Sequence, residues 1–224
     1  MKLLAIETAT DSCSVAIWDN GEVREHFEAA ERRQTERVLP MVDALLSEAG
    51  WRLAELDAIG FGHGPGAFTG VRVAVSVAQG LGFAADLPLI GISTLAATAH
   101  AAARQYGDGD WLIGFDARMS ELYLGAYRCH QGLLQVLMAD CLAAPSALPA
   151  LPAGEWRGGG SGELHLLALR DAWPQLGDWH GELLPRASSV VALAAQLHGQ
   201  GAGVAAELAQ PVYLRDRVIQ GAIR

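Results

Sequence analysis

The chain has 224 residues, 51% of them hydrophobic, and its 25 acidic and 16 basic side chains give a formal net charge of -9. This length fits one large domain or two small ones, and the negative charge disfavours broad adhesion to nucleic acid, which needs many cationic contacts with phosphates. Lys2 is the single lysine, which excludes a P-loop and a Schiff-base lysine elsewhere in the chain.

The N-terminal segment and the cysteines predict a cytoplasmic protein. The run from Met1 to Glu7 is too short in apolar residues for a signal peptide, and no apolar stretch reaches the roughly 20 residues that cross a bilayer. Cys13, Cys129 and Cys141 are widely spaced, which favours reduced thiols over a disulfide framework.

The first half of the chain predicts a βββαβαβα order of elements. Residues 2–7, 12–18 and 22–27 are β-prone, and an Asp-Asn-Gly turn joins the last two as a hairpin. Apolar side chains then recur at helical spacing over residues 34–49. A strand at 58–62, a helix at 71–85, a strand at 88–92 and a helix at 94–106 complete the unit.

The second half begins with the same pattern of three strands, at 111–116, 121–127 and 133–138. The recurrence predicts a duplicated α/β architecture, with a first domain of residues 1–108 and a second of residues 109–224. The rest is less regular up to a helix at 188–197, because it contains a run of glycines and Pro145, Pro149, Pro152 and Pro174. The run at 158–162 predicts either a close approach to an adenosine or a flexible loop that caps a helix at 161–170.

A glycine-rich loop lies between the strand at 58–62 and the helix at 71–85. The first amides of a helix have no partners within it, so such an end faces an anion or another backbone. The spacing does not fit the G-x-G-x-x-G dinucleotide motif. The candidate residues of this loop are His63, Gly64, Pro65, Gly66, Phe68, Thr69, Gly70 and Arg72.

The helix after the loop contains Gly80 and Gly82, which cost roughly 2 kcal/mol of helix propensity relative to alanine. Close packing against a neighbour would offset that cost. One face has an apolar row of Val73, Val77 and Leu81, and another has a row of small side chains at Ser76, Gly80 and Ala84. Spacing alone leaves two interpretations open, a helix buried in its own domain or a contact with another helix.

The sequence contains no compact set of catalytic or metal-binding residues. No two of the seven histidines lie one or two helical turns apart, and no G-x-S-x-G motif occurs. The turns after the first strand of each half could hold phosphate in an actin-type ATPase, but the second has no glycine for close backbone approach. The residues of this degenerate nucleotide cleft are Glu7, Thr8, Thr10, Asp11, Asp116 and Arg118.

Six motifs that span nearly the whole chain resemble those of the TsaB (YeaZ) family. They are Ile6-Glu7-Thr8-Ala9-Thr10, the loop from Gly64 to Arg72, Ala78-Gln79-Gly80-Leu81, Gly91-Ile92-Ser93-Thr94-Leu95, Asp116-Ala117-Arg118 and Pro211-Val212-Tyr213-Leu214-Arg215. The resemblance implies a duplicated actin-like, Hsp70-like fold of the ASKHA and ribonuclease H-like class.

The resemblance also implies a non-catalytic accessory role in bacterial synthesis of N6-threonylcarbamoyladenosine (t6A) in tRNA. The implied partners are the catalytic paralogue TsaD and the TsaE ATPase, with a homodimer when the protein is alone and tRNA contacted only through the complex. No tightly bound cofactor is implied, although a nucleotide at the interface of the complex is compatible with it.

Two further expectations follow from the resemblance. TsaD binds a metal through two histidines, and the matching positions here are Thr94 and Thr98, whose neutral hydroxyls are poor ligands for a transition metal. Pairing through the first-domain helices is implied as well. The candidate interface residues are Val38, Met41, Leu45, Val73, Ser76, Val77, Gly80 and Ala84.

Two other functions remain open at this level, an ATP-dependent enzyme that uses the cleft between the halves and a metallopeptidase. Arg215, Arg217 and Arg224 make the C-terminal tail locally basic. The tail is interpreted as a solvated terminus, with contact to a partner or tRNA as the alternative.

Overall fold

The computed structural model describes residues 1–29 and 33–215, and these residues form two five-stranded sheets. The strands of the first sheet are β1 (Lys2–Glu7), β2 (Ser12–Asp19), β3 (Glu22–Ala29), β4 (Ala58–Gly62) and β5 (Leu89–Ile92). They lie in the order β3-β2-β1-β4-β5. The central strand β1 pairs antiparallel with β2 and parallel with β4.

The second sheet repeats this topology. Its strands are β6 (Gly109–Asp116), β7 (Leu122–His130), β8 (Leu133–Ala143), β9 (Trp156–Gly159) and β10 (Leu176–His180). The order is β10-β9-β6-β7-β8, with β6 antiparallel to β7 and parallel to β9. The predicted duplicated α/β architecture is therefore confirmed.

Strand β9 corrects the expectation of a flexible loop at 158–162. Gly158 and Gly159 are strand residues, and the indole of Trp179 occupies the place of a side chain at Gly158, where a Cβ would lie 2.2 Å from its ring. The indole nitrogen of Trp179 also donates to the carbonyl of Gly160, 3.0 Å away. Glycine here permits close packing within a sheet.

The helices of the first half follow the prediction closely. They are α1 (Gln34–Ala49), α2 (Phe68–Ala85) and α3 (Thr94–Tyr106). The second half has α4 (Leu166–Ala172) and α5 (Ala187–Gly199). The predicted helix at 161–170 is wrong in its first turn, because Ser161–His165 forms a tighter 3₁₀ turn that brings Gly162 against the backbone of Gly114, where a Cβ would lie 3.0 Å from the carbonyl oxygen.

Helices α1 and α2 cover one face of the first sheet. Val38, Met41 and Leu45 of α1 are 1%, 5% and 0% exposed and belong to the core formed with that sheet. Their prediction as partner contacts is therefore wrong, because the apolar row of α1 is covered by its own domain. In α2 the buried residues are Gly70, Val71, Ala74, Val75, Ala78 and Gly82.

Helices α3 and α5 lie in the core that the two sheets share. Helix α5 packs on β1, β2 and β4 of the first sheet, whereas α3 packs on β6 and β7 of the second. A single apolar cluster contains residues of both sheets and both helices, among them Leu3, Leu95, Trp111 and Leu193. The division at residue 108 separates the sheets, and the final helix of each repeat packs on the other repeat.

Polar contacts fix the start of α5 against the first half. The backbone N–H groups of Ala187 and Ser188 donate to the Ser14 hydroxyl and the Glu25 carboxylate, both over 2.9 Å. Arg186 forms an ion pair with the same carboxylate at 2.9 Å. Because a helix N-terminus carries partial positive charge, Glu25 stabilises α5 across the two halves.

Candidate functional site

A cleft of about 780 Å³ lies between the two halves. Thr10 and Asp11 line it from the first half, and Asp116 and Arg118 line it from the second. The structure thus brings together four of the six residues predicted for a degenerate nucleotide cleft. Glu7 and Thr8 do not line it, because both are fully buried behind the turn that follows β1.

The glycine loop packs directly on that first turn. The N–H of Ala67 donates to the carbonyl of Ala9 over 2.7 Å, and the Thr8 hydroxyl donates to the carbonyl of Gly70 over the same distance. A Cβ at Gly66 would lie 2.4 Å from the Ala9 carbonyl oxygen, and one at Gly70 would lie 2.1 Å from that of Thr8. Glycine is required at these two positions because the backbone of the loop touches the backbone of the first turn. The sequence predicted that the loop faces either an anion or another backbone, and in the structure it faces another backbone.

Glu7 is a buried acid at the end of β1. One carboxylate oxygen accepts from the N–H of Ala9 over 2.7 Å, and the other accepts from the Thr94 hydroxyl over 3.3 Å. A Cβ at Gly62 would lie 2.0 Å from this carboxylate, which explains the glycine at the end of β4. Burial raises the pKa of Glu7 to about 7, because desolvation disfavours the ionised form.

His63, the one histidine of the loop, is held within the chain. The backbone N–H of His63 donates to the carbonyl of Ile92 over 3.0 Å, and the backbone carbonyl of His63 accepts from the N–H of Val212 over 2.8 Å. Desolvation by burial lowers the pKa of His63 to about 4, so the ring is neutral near pH 7. A Cβ at Gly91 would lie 2.7 Å from its Nδ1.

The first turn of α2 carries a stack of aromatic and cationic groups. The guanidinium carbon of Arg72 lies 3.2 Å from the ring centroid of Phe68 and 5.2 Å from that of Tyr213. Phe68 is 58% exposed and Thr69 is exposed beside it, whereas Gly64 and Pro65 are buried. Arg72 Nη1 is buried and has no hydrogen-bond partner among residues 1–29 and 33–215. The stack thus forms one rim of the cleft.

The turn after β6 forms the opposite wall of the cleft. The backbone φ values of Arg118, Met119 and Ser120 are 64°, 54° and 58°. Residues other than glycine rarely adopt this left-handed conformation. The Arg118 N–H and guanidinium donate to the carboxylate of Asp116 over 3.0 and 3.2 Å. Asp116 is therefore engaged by its own turn.

The comparisons with known proteins agree with this geometry. A family model for TsaD, tRNA N6-adenosine threonylcarbamoyltransferase, matches residues 26–168. The tRNA threonylcarbamoyladenosine biosynthesis protein TsaB of Escherichia coli K12 is 40% identical over 97% of this chain and 96% of its own length. The chain belongs to the TsaB family.

Two solved structures from Pseudomonas aeruginosa support the same assignment. One, described as an uncharacterized protein with similarity to peptidase YeaZ, has a TM-score of 0.89 and 41% identity and covers 96% of this chain and 99% of its own. The other, described as YeaZ, has a TM-score of 0.86 and 39% identity and covers 95% and 99%. These two structural matches, together with the repeated topology of the two sheets, confirm the actin-like fold that the resemblance to TsaB implied.

Thr94 and Thr98, which the resemblance to TsaB places where TsaD has metal ligands, lie in the protein interior. Thr94 and Thr98 are fully buried, the first donating to Glu7 and the second to the carbonyl of Thr94 over 2.8 Å. In the described ranges, 1–29 and 33–215, no three His, Cys, Asp or Glu side chains cluster as a metal would require.

The outward face of α2 contains the remaining interface candidates for a TsaB pairing. Ser76, Gly80 and Ala84 are exposed, and Phe83 between them is 81% exposed, whereas Val73 and Val77 are partly buried. A Cβ at Gly80 would meet no heavy atom of the described residues within 4 Å, whereas one at Gly82 would lie 2.7 Å from Leu89. Gly82 therefore packs within its own domain, and Gly80 faces open space.

Helix α2 is the longest of the described helices and is strongly apolar. Its 18 residues have a mean hydropathy of 1.3 and a third of them are buried, so by length and composition it could cross a membrane. A helix packed in a soluble core passes the same test, so this is weak evidence for a membrane span. The 18 residues include Arg72 and are fewer than the roughly 20 that the sequence expectation required, so α2 does not contradict that expectation.

Sequence reasoning missed a polar cluster that connects the two halves. Ser93, the N-cap of α3, donates to the carboxylate of Asp140 over 2.5 Å, and the Tyr127 hydroxyl donates to the same group. Burial raises the pKa of Asp140 above its usual range. Asp140 is the one acidic residue in an otherwise mostly apolar edge strand, β8, and no local pattern indicates its contact with Ser93 of the first half.

Arg215 also differs from its prediction, because it is not a solvated residue. Its side chain is 16% exposed and forms an ion pair with Glu121 at 2.7 Å. The interpretation of the tail as a solvated terminus is wrong for this residue. Arg217 and Arg224 lie outside the described residues.

Proposed function

We propose that the chain is a non-catalytic accessory subunit of t6A synthesis that pairs with a TsaD-type catalytic subunit and with the TsaE ATPase. The proposal rests on family membership, because the E. coli relative that matches nearly end to end is named as a t6A biosynthesis protein. The threonylcarbamoyl transfer itself is assigned to the partner.

The observation that carries the pairing is the outward face of α2. A soluble helix normally presents polar side chains to water, yet this face combines Gly80, Ala84 and the 81% exposed ring of Phe83. Leu39 of the adjacent helix α1 is 51% exposed. Large apolar side chains next to a small-residue row fit a helix-to-helix contact, which in an interface of standard size buries about 800 Å² per partner.

The assignment of catalysis to the partner is supported by the interior around Glu7. The Thr94 hydroxyl donates a hydrogen bond to that carboxylate, and the Thr98 hydroxyl donates to the backbone carbonyl of Thr94. Neither group is exposed to the cleft. A metal-dependent transfer would need ligands that these two threonines do not supply.

Several features of the working complex belong to the same proposal. The chain acts in the cytoplasm, forms a homodimer through the α2 face when no TsaD is present, and reaches tRNA only through the complex. It holds no cofactor tightly, and a nucleotide would bind where the subunits meet. The net charge of -9 supports the indirect contact with tRNA, because direct binding favours basic surfaces.

A second candidate, an ATP-dependent enzyme, is favoured by the cleft between the halves. Its volume of about 780 Å³ suits a nucleotide-sized ligand, and Asp11 and Asp116 face it from opposite walls. The glycine loop already engages Thr8 and Ala9 of the first turn, however, and Arg118 engages the carboxylate of Asp116 in the second. Calorimetric titration of the isolated chain with Mg-ATP separates the two, since micromolar binding with turnover would favour the enzyme.

The decisive experiment is reconstituted modification of tRNA with purified TsaD, TsaE and threonylcarbamoyl-adenylate, with and without this chain. The accessory role predicts t6A formation that requires the chain and stops when TsaD is omitted. Equal modification in its absence would overturn the proposal. Modification by the chain without TsaD would assign catalysis to the chain itself.

A further inference from the structure

Residues 211–215, here called the strap, run along the mouth of the cleft. The N–H of Val212 donates to the carbonyl of His63 in the glycine loop over 2.8 Å. The ring of Tyr213 lies beside Phe68, with centroids 6.3 Å apart, and next to the Arg72 guanidinium. These contacts fix the strap to the first half.

Arg215 then connects the strap to the second half. Its guanidinium donates to the carbonyl of Ala117 over 3.0 Å, lies 3.2 Å from the Met119 sulfur and pairs with Glu121 at 2.7 Å. The Arg215 side chain is 16% exposed and that of Glu121 is 30% exposed. A partly buried charged hydrogen bond is stronger than an ion pair on an open surface.

Arg215 binds both ends of the left-handed turn. Ala117 precedes Arg118, Met119 and Ser120, and Glu121 follows them. Within the turn, the backbone N–H of Ala117 donates to the carbonyl of Glu121 over 2.9 Å, and the backbone N–H of Glu121 donates to the carbonyl of Arg118 over 3.0 Å. Unfavourable backbone conformations persist only where the surroundings hold them, and Arg215 supplies such a restraint from the other end of the chain.

The joint between the halves is asymmetric. Away from the cleft mouth, α3 and α5 share one continuous apolar core with both sheets. Among the described residues, the polar contacts of the strap with the second half at the mouth are all made by the side chain of Arg215. Separation at the mouth would therefore leave the shared core intact.

We propose that the strap and the turn form a releasable clasp that closes the cleft between the halves. In the closed state Arg215 holds the left-handed turn against the strap. When Arg215 leaves Glu121 and Ala117, the turn relaxes and the walls at Thr10 and Asp116 separate. The clasp is a property of the chain alone and does not depend on the pairing with TsaD.

Hydrogen exchange of the isolated full-length chain, read by mass spectrometry, tests the clasp. In Arg215→Met, which keeps the length of the side chain and removes its hydrogen bonds, the amides of Val212, Ala117 and Glu121 should exchange about tenfold faster than in wild type. The matched control is Arg128→Met. Arg128 also pairs with a carboxylate through two nitrogens, at 2.7 Å each, but its partner Asp110 lies in the same half.

A second pair of variants tests the attachment of the strap to the first half. Tyr213→Ala removes the ring beside Phe68 and should accelerate exchange at Val212 and at the turn. Tyr213→Phe keeps the ring and should leave the rates at the wild-type level. Near-UV circular dichroism verifies that each variant is folded.

Two results would overturn the clasp. The first is unchanged exchange of the strap and turn amides in both Arg215→Met and Tyr213→Ala. The second is equal acceleration in β1 and β6, because it would show that the contacts stabilise the whole fold and do not control the cleft mouth. Acceleration confined to the strap, the turn and the cleft walls supports it.

Discussion

Thr94 donates its hydroxyl hydrogen to the buried carboxylate of Glu7, and the two oxygens lie 3.3 Å apart. The contact connects the end of β1 with the first residue of α3. It occupies a position where the resemblance to TsaB predicts the loss of a metal ligand. A neutral hydroxyl beside a neutral acid needs no cation, so the interior at this point is stable when Glu7 is protonated.

Glu7 should make the stability of the fold depend on pH. Burial raises its pKa from 4.5 to about 7 in the folded protein, so between these values the folded state holds a proton that the unfolded chain has released. The contribution is fully present below pH 4.5 and is lost as the pH rises through 7. The loss is on the order of 3 kcal/mol in the free energy of unfolding.

Urea unfolding of wild type and Glu7→Gln at about pH 5 and about pH 8 measures this effect. The amide can accept from Ala9 and donate to Thr94, so the variant should match wild type at low pH and exceed its stability at high pH. Burial lowers the pKa values of His63 and His100 to about 4, so these two groups make the free energy of unfolding rise with pH. The effect of Glu7 is therefore read from the difference in unfolding free energy between wild type and the variant at each pH. Parallel pH profiles would contradict the prediction.

The contact between the glycine loop and the first turn predicts a large cost for one added methyl group. In Gly70→Ala the Cβ would lie 2.1 Å from the carbonyl oxygen of Thr8, a backbone atom that cannot move aside alone. We expect a loss of about 2 to 3 kcal/mol in the free energy of unfolding. Thermal and urea unfolding measure it.

Gly80→Ala is the matched control, because it lies in the same helix with open space around its Cα. Alanine there should be neutral or stabilise by up to about 1 kcal/mol through helix propensity. Equal destabilisation by both substitutions would show that the cost arises from the helix and not from the contact with Thr8.

The first half of the fold could be predicted because its signals are local. Periodic apolar residues and turn residues mark α1, α3 and the opening hairpin, and the structure has these elements within a few residues. Strands β9 and β10 carry no such signal. Gly158 lies in a strand, and Trp179 of the neighbouring strand fills the space beside it, a contact that no local sequence pattern shows.

The candidate site was predictable in its parts but not in its contacts. Apolar spacing shows that Val38, Met41 and Leu45 share a face of α1, but it does not show which surface covers that face. The left-handed conformation of Arg118 could not be predicted, because the turn contains no glycine. Arg215, which binds this turn, is far away in the sequence. Both outcomes depend on tertiary contacts.

The exposed face of α2 predicts that Gly80→Leu blocks pairing while the isolated chain stays folded. A Cβ at this position has no atom of another described segment within 4 Å, and a leucine side chain would extend into the space that a partner helix needs. We expect the dissociation constant for TsaD to rise about 100-fold or more, with a change in unfolding free energy below about 1 kcal/mol. Calorimetric titration and urea unfolding measure the two quantities.

Gly199→Leu controls for the added apolar surface. Gly199 ends α5, is exposed and also has no described atom within 4 Å of a Cβ, but it lies on a different helix. This variant should bind TsaD as wild type does. Unchanged affinity in Gly80→Leu, or equal loss in both variants, would remove α2 from the interface.

The three consecutive left-handed residues predict that glycine stabilises the turn. Ser120 has a φ of 58°, which costs an L side chain about 1 to 2 kcal/mol and costs glycine nothing. Part of the gain is lost to the greater freedom of glycine in the unfolded chain. We expect Ser120→Gly to raise the free energy of unfolding by roughly 0.5 to 1 kcal/mol and to slow hydrogen exchange at Glu121.

Ser120→Ala separates the backbone effect from the loss of the hydroxyl. Alanine removes the same oxygen but keeps a Cβ in the left-handed conformation, so it should show no gain in stability and no slower exchange. If alanine and glycine gave the same stability, the backbone of the turn would not be strained. The relaxation of the turn would then contribute nothing to release of Arg215, and the clasp would depend on its hydrogen bonds alone.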